Sequence, residues 1–260
     1  MERFRPDTYG ESFAEVYDEW YQGVSDAEAV ASFVAARAGA GPVLELGVGT
    51  GRLAAPLLAR GRAVVGLDAS AAMLARCRDR GLEGSGLRLV RADMAALPFR
   101  GPVGAVLIGF NTLFNLVHAE AQRSLFAQAA AVLGPGGVLV VEANQTDALA
   151  GGPARWIGPS SMRAAEAADG PARAGTGRPG AVTVVATELD REAQVIVGQH
   201  VEVGPGGVRF RPWRLRWATT DQIDGFARAA GLVLAERHGG WSGEVWAPGG
   251  DTHVSVYHQG

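Results

Sequence analysis

The sequence contains no lysine: all 24 basic residues of the 260-residue chain are arginine. That closes chemistry built on a lysine amine, including Schiff-base catalysis, the G-x-x-x-x-G-K-[ST] phosphate loop and the Tyr-x-x-x-Lys pair of short-chain dehydrogenases. Cysteine is almost as scarce. The single thiol, Cys77, excludes an internal disulfide and suits a reducing compartment, so a cytoplasmic location is expected. Charged residues make up only 20% and the net charge is −3, which gives no electrostatic reason to expect nucleic acid or a membrane surface as partner. No apolar run approaches the ~20 residues of a membrane span, and no cationic segment leading into an apolar one opens the chain, so neither span nor signal peptide is expected. No group of residues has metal-ligand spacing, and no metal is expected.

What is present is organised around Val43-Leu44-Glu45-Leu46-Gly47-Val48-Gly49-Thr50-Gly51-Arg52. A short apolar run reads as a buried strand, G-x-G-x-G as a turn needing bare backbone, and Leu53 to Leu58 as the start of a helix. Strand, glycine turn and helix make a nucleotide-binding corner.

Along the chain, residues 1–10 read as irregular. Phe13, Val16, Tyr17, Trp20 and Tyr21 form the aromatic face of one short helix over 11–21. Ser25-Asp26 caps a second helix. Strands at Val43–Gly47, Ala63–Asp68, Leu87–Asp93, Val103–Phe110 and Val138–Ala143 then alternate with helices, which predicts a parallel sheet covered on both faces. From 147 to 180 the Ala, Gly and Pro content predicts an irregular lid. Val182–Leu189 and Gln194–Val203 read as a hairpin, Val208–Trp217 as a third strand at an edge, and a helix to Ala230 precedes two closing strands. Residues 1–146 and 218–260 are thus expected to form one α/β domain (1–40 its helical cap), and 147–217 an inserted antiparallel β cap over the substrate.

Ligands of open parallel sheets sit beyond the carboxyl ends of the strands. Asp68, 21 residues past Gly47, stands where a carboxylate accepts both ribose hydroxyls. Asp93-Met94 stands where an acid and a flanking N–H meet an adenine ring.

These pieces, with Val65-Gly66-Leu67-Asp68-Ala69-Ser70 and Leu133-Gly134-Pro135-Gly136-Gly137, resemble the class I S-adenosylmethionine-dependent methyltransferases. Phe13 to Tyr21, the inserted sheet and Gly239-Gly240-Trp241-Ser242-Gly243 resemble actinobacterial small-molecule members that dimethylate amino sugars. The resemblance implies a Rossmann-like, seven-stranded sheet with the last strand antiparallel, and S-adenosylmethionine as cofactor with S-adenosylhomocysteine as product. It implies that Glu45 and Gly47 meet the methionine end, Gly49 allows close approach and Arg52 reaches the carboxylate. Asp68 with Ala69 would hold the ribose, Asp93 and Met94 the adenine, and Phe110 the region of the sulfonium, with Tyr17 closing over. Asn115 stands where amino-sugar enzymes often carry a histidine; His118 lies three residues on.

The reaction expected is in-line methyl transfer, without metal, to N or O of a small specialised metabolite, with proximity and orientation supplying ~7–11 kcal/mol. His118 is the candidate base. Tyr21, Asn111, Asn115, Trp156, Trp217 and Trp241 are candidate substrate contacts, and a homodimer is conceivable. The Arg- and Trp-rich run 209–217 is too short, on too neutral a surface, to indicate single-stranded nucleic acid. Two alternatives stay open: an NAD-linked oxidoreductase, which usually has a third glycine where Arg52 stands, and a non-catalytic S-adenosylmethionine-binding protein.

Overall fold

The structure is a computed structural model that describes all residues except 1–3, 22, 83, 147–148, 150–152 and 160–180. Most of the expected lid over 147–180 lies outside the described residues.

The chain opens with helices α1 (Thr8–Phe13), α2 (Tyr17–Trp20) and α3 (Ala27–Arg37). Then come β1 (Val43–Leu46), α4 (Ala54–Ala59), β2 (Val64–Asp68), α5 (Ala71–Asp79), β3 (Leu87–Arg91) and β4 (Val103–Ile108). A 3₁₀ turn at Thr112–Asn115 precedes α6 (Ala119–Val132) and β5 (Leu133–Asn144). The inserted strands are β6 (Arg155–Pro159), β7 (Val182–Asp190), β8 (Val195–Gly204) and β9 (Gly207–Arg216). The chain closes with α7 (Thr220–Ala229), β10 (Leu232–His238) and β11 (Thr252–Gln259).

Seven strands form one sheet in the order β10-β11-β5-β4-β1-β2-β3. Strands β3, β2, β1, β4 and β5 pair in parallel, while β11 runs antiparallel to both β5 and β10, as expected. β1 and β4 are buried along their whole length because helices cover both faces. One core face carries Leu125, Phe126 and Ala129 of α6 with Ile223 and Phe226 of α7; the other carries Val30 and Val34 of α3 with Leu57 and Cys77. Strand order reverses between β1 and β4, which opens the crevice where the site lies.

The remaining strands form a second, antiparallel sheet, β6-β7-β8-β9. It has one strand more than the sequence signalled: Arg155–Pro159, expected to be irregular, pairs with β7, Trp156 lying opposite Thr187. β9 is an edge strand carrying Pro212, where a missing N–H costs no ladder bond.

The single helix expected over 11–21 is two helices, and the first begins inside the supposedly irregular residues 1–10. Burying Phe13, Val16, Trp20 and Tyr21 together around Met73 outweighs helical continuity. α1 thereby touches both α5 of the α/β layer and β9 of the second sheet. Glu11 accepts hydrogen bonds from Ser70 Oγ and the Ala72 N–H at the start of α5, and Arg211 of β9 donates to the Ser12 carbonyl.

A buried polar knot closes the other side. Gln122 of α6 donates to the carbonyls of Arg216 and Leu116 at 2.7 and 3.1 Å and accepts from the Arg216 guanidinium at 2.7 Å, which also reaches Gln194. Burial lowers the pKa of Arg216. Gln122→Leu takes one acceptor from a buried cation and the donor from two carbonyls, so it should cost about 3 kcal/mol of stability. Urea unfolding checks this; a loss below about 1 kcal/mol contradicts it.

Candidate active site

β1 runs into the glycine turn at the strand-order switch. Gly47 has φ 71°, and a Cβ there would come within 2.7 Å of Thr112 Cγ2, so only glycine lets the turn lie against the segment after β4. Asp68 ends β2 beneath that turn. Its Oδ2 accepts the Gly49 N–H at 2.9 Å and its Oδ1 the Ser70 N–H at 2.8 Å. Burial raises its pKa, and those backbone donors partly oppose the rise. Asp93 Oδ1 accepts the Ala95 N–H, which holds the short turn after β3 that carries Met94.

Two further carboxylates are buried nearby, and they are treated differently. Glu142 of β5 accepts from Ser25 Oγ (2.8 Å), the Trp241 indole N–H (2.7 Å) and the Phe110 N–H (2.6 Å). The last bond fixes the strained corner after β4, where Phe110 and Asn111 both have positive φ (29° and 57°) and Asn111 Oδ1 accepts the Asn144 N–H. Glu45 of β1 has no such company: it is 2% exposed and its Oε2 is buried with no hydrogen-bond partner. Desolvation pushes its pKa up to about 8, with Arg52 pulling it down and Asp68 adding to the rise.

A cavity of about 610 Å³ spans the crevice and the cap. Its parallel-sheet side presents Gly47, Gly49, Asp68, Ala69, Asp93, Met94 and Phe110. Its other walls include Tyr17 and Tyr21, Asn111 and Asn115, the exposed His118, and Trp156. These expected site residues therefore converge on one space. Tyr17 stacks on Tyr21 at 4.5 Å, and Tyr9 donates to the Tyr21 hydroxyl at 2.5 Å; burial raises all three phenol pKa values, Tyr17 to about 12.

Such a combination suits a cofactor that pairs a cationic amino-acid end with a nucleoside: an orphaned buried carboxylate, a glycine turn, and acids after β2 and β3. Residues 43–137 match a family described as a methyltransferase domain. The chain is 33% identical to the CcbJ methyltransferase of Streptomyces caelestis, covering 98% of this chain and 99% of that one with a TM-score of 0.85.

The chain belongs to the S-adenosylmethionine-dependent methyltransferases.

It is also 29% identical, over 93% of each chain, to the cypemycin N-terminal methyltransferase of a Streptomyces species. DesVI of Streptomyces venezuelae is 25% identical, with 93% of this chain and 97% of that one covered and a TM-score of 0.66. An NAD-linked oxidoreductase and a non-catalytic binder, both compatible with the glycine turn alone, are set aside by this membership.

Four expected contacts do not line the cavity. Glu45 is buried within β1 and is absent from the cavity walls. Trp217 is buried in the core against α6 and α7, because it directly follows β9 where the chain turns into the α7 cap. Trp241 packs edge-on against Phe33 and spends its indole N–H on Glu142, so it supports the β4 corner from behind. Neither lines the cavity. Arg52 donates to the Ser25 carbonyl at 2.7 Å, beside rather than in the cavity. The late histidines serve structure: His238 pairs with Glu236, and His253 is buried beside Ser255.

Sequence reading missed Glu142, Tyr9, His200 and Trp213. The last three line the cavity. Tyr9 sits in a segment read as irregular, and His200 and Trp213 lie on strands whose alternation gives a face but not what that face meets.

The Glu45 environment sets a measurable linkage. With a pKa near 8 the free enzyme holds this carboxyl protonated at pH 7, and a ligand ammonium beside it favours the ionised form. S-adenosylmethionine binding at pH 7 should release close to one proton per site, seen as a buffer-dependent binding enthalpy that Glu45→Gln abolishes. Buffer-independent enthalpy in the wild type contradicts it. The raised folded pKa also means that stability falls as pH rises toward and through 8, so Glu45→Gln should melt higher than the wild type above that pH.

Proposed function

We propose that this protein methylates an amine nitrogen of a small molecule in specialised metabolism, by direct in-line transfer without metal. The cavity's charge distribution carries this reading. Among the described residues lining it, the carboxylates are Asp68 and Asp93, both on the cofactor side; the cap side is walled by Trp156, Val185, Thr187, His200, Trp213 and Leu215. An ammonium entering there meets no counter-ion, so the amine binds neutral, with the lone pair that the reaction needs. A hydroxyl acceptor would need a base at the transfer centre, where the three tyrosines keep their protons at neutral pH, while His118 stands at the exposed rim. The name of the cypemycin N-terminal methyltransferase agrees with transfer to nitrogen in a relative.

When bound, S-adenosylmethionine supplies an electrophilic methyl on a sulfonium whose departure as a thioether needs no acid. In this reading Glu45 pairs the cofactor's ammonium, Asp68 the ribose hydroxyls, and Asp93 with the backbone at Met94 the adenine. Tyr17 covers the site, and Phe110, held by Glu142, sets the depth of the methyl group. Tyr21, Asn111, Asn115 and Trp156 bound the acceptor. The four-stranded sheet is the substrate cap. His118, at the exposed rim where α6 starts, accepts the proton that an incoming ammonium sheds.

The test is product mass with labelled cofactor and a panel of aminohexoses, aminocyclohexanols and peptides with a free N-terminus, each beside its hydroxyl counterpart. Methyl gain on amines alone is expected; transfer only to hydroxyls overturns the nitrogen reading. His118→Asn should lower kcat/KM about 10²-fold at pH 7, with the loss shrinking toward pH 9 as the amine arrives already neutral. A loss independent of pH removes His118 from that role.

A further inference from the structure

His200 lies at the centre of β8, facing the cavity from the cap, across from the glycine turn. Phe13 and Trp20 pack around its ring at 5.4 and 5.5 Å between centroids, and Trp213 donates its indole N–H to His200 Nδ1 at 3.1 Å. An indole nitrogen only donates, so Nδ1 is the unprotonated nitrogen and the neutral ring carries its proton on Nε2. Burial, with Arg211 nearby, lowers the pKa to about 4, which keeps the ring neutral at pH 7. The arrangement is built into the neighbouring strand pair. Trp213 lies across Gly198, where a Cβ would come within 2.1 Å of the indole, so no larger residue lets the ring reach His200 in this pose. Nε2–H has no hydrogen-bond partner among the described residues and is not one of the fully buried unpaired atoms, so the donor is left open at the wall of the cavity that His200 lines.

We propose that His200 is a specificity-determining residue for the methyl acceptor: its Nε2–H, fixed as a donor by Trp213, receives an uncharged oxygen carried on the same molecule as the amine. The substrate class is then an oxygenated amine, in which a hydroxyl, ether or carbonyl oxygen is held on the cap while the nitrogen faces the cofactor. This rests on the amine reading above.

Protein loaded with S-adenosylhomocysteine and labelled with ¹⁵N-histidine is titrated with trans-2-aminocyclohexanol and with cyclohexylamine, which lacks the oxygen. Wild type should bind the amino alcohol about tenfold tighter, and the His200 signals should report an Nε2-protonated ring. His200→Phe should erase that preference, His200→Gln, which keeps an N–H, should retain part of it, and Trp213→Phe should reduce it while mixing the tautomers. S-adenosylhomocysteine affinity should stay within about twofold throughout, which a merely structural role would not leave intact. Equal binding of the two amines, binding of neither, a preference that survives His200→Phe, or an Nδ1-protonated ring in the wild type overturns the proposal. If His200→Phe does not fold, Trp213→Phe and the wild-type tautomer still decide. Failure of S-adenosylhomocysteine to bind at all is a failure of the methyl-transfer reading instead.

Discussion

The parallel part of the sheet holds three carboxylates near its carboxyl end, Glu45 and Glu142 buried and Asp68 half-buried, and the way each is compensated organises the molecule. A buried carboxyl oxygen without a partner is costly, so a fold normally pairs it or keeps it protonated. Glu142 is fully paired, and its three donors come from a loop before α3, a tryptophan after β10 and the backbone after β4. Asp68 is paired locally, by the glycine turn and the first residues leading into α5. Glu45 is left with one oxygen unpaired. The first two tie distant segments into one rigid corner. The third keeps an unmet electrostatic demand, which in the proposed reading a cationic ligand group would relieve.

Rigidity at that corner is what allows strain to persist there. Phe110 and Asn111 hold left-handed backbone that non-glycine residues avoid, and they do so because β5 supplies acceptors and a donor to both. In-line transfer rewards positioning above all, and an ångström of slack is expensive. The N-terminal helices extend the same logic to the roof. Glu11 anchors α1 to the start of α5, while Arg211 and Arg209 of the cap reach Ser12 and Glu15. Cofactor corner and cap are therefore linked through the short aromatic segment between them, and the cavity has one wall that belongs to both.

Much of this was legible from residues alone, because it rests on local signals. Continuous apolar runs marked the buried strands, glycines marked the turn after β1, and polar residues just beyond strands marked Asp68 and Asp93. Thr219 caps α7, completed by Gln222 in a capping box, and Ser70 caps α5. What escaped depends on pairings between distant segments. Trp241 and Trp156 look equally good as pocket walls in sequence, yet one is consumed by Glu142 99 positions earlier and the other faces the cavity. The break between α1 and α2 follows from aromatic packing against Met73, which no periodicity over eleven residues encodes. A faint signal for His200 did exist: a glycine two residues before it on the same face of β8, set against a tryptophan across the strand pair.

That division bears on how acceptor choice changes without loss of the cofactor. The corner is over-determined: Gly47 is fixed by sterics against Thr112, Asp68 by two backbone donors and the β4 turn by Glu142, so most substitutions there disturb binding and fold together. The cap is not. Its inner face consists of alternate side chains on β7, β8 and β9, each replaceable without disturbing a ladder hydrogen bond, since strand pairing runs through the backbone and alternation decides only what points inward. Under the proposed function, a change of polar group on that face would alter which oxygen or apolar surface is welcomed, while residues on another sheet would hold the methyl donor. In the proposed reading, physical separation of the two tasks on two sheets, bridged by α1, α2 and the Gln122–Arg216 knot, lets one half stay fixed in chemistry while the other varies in recognition.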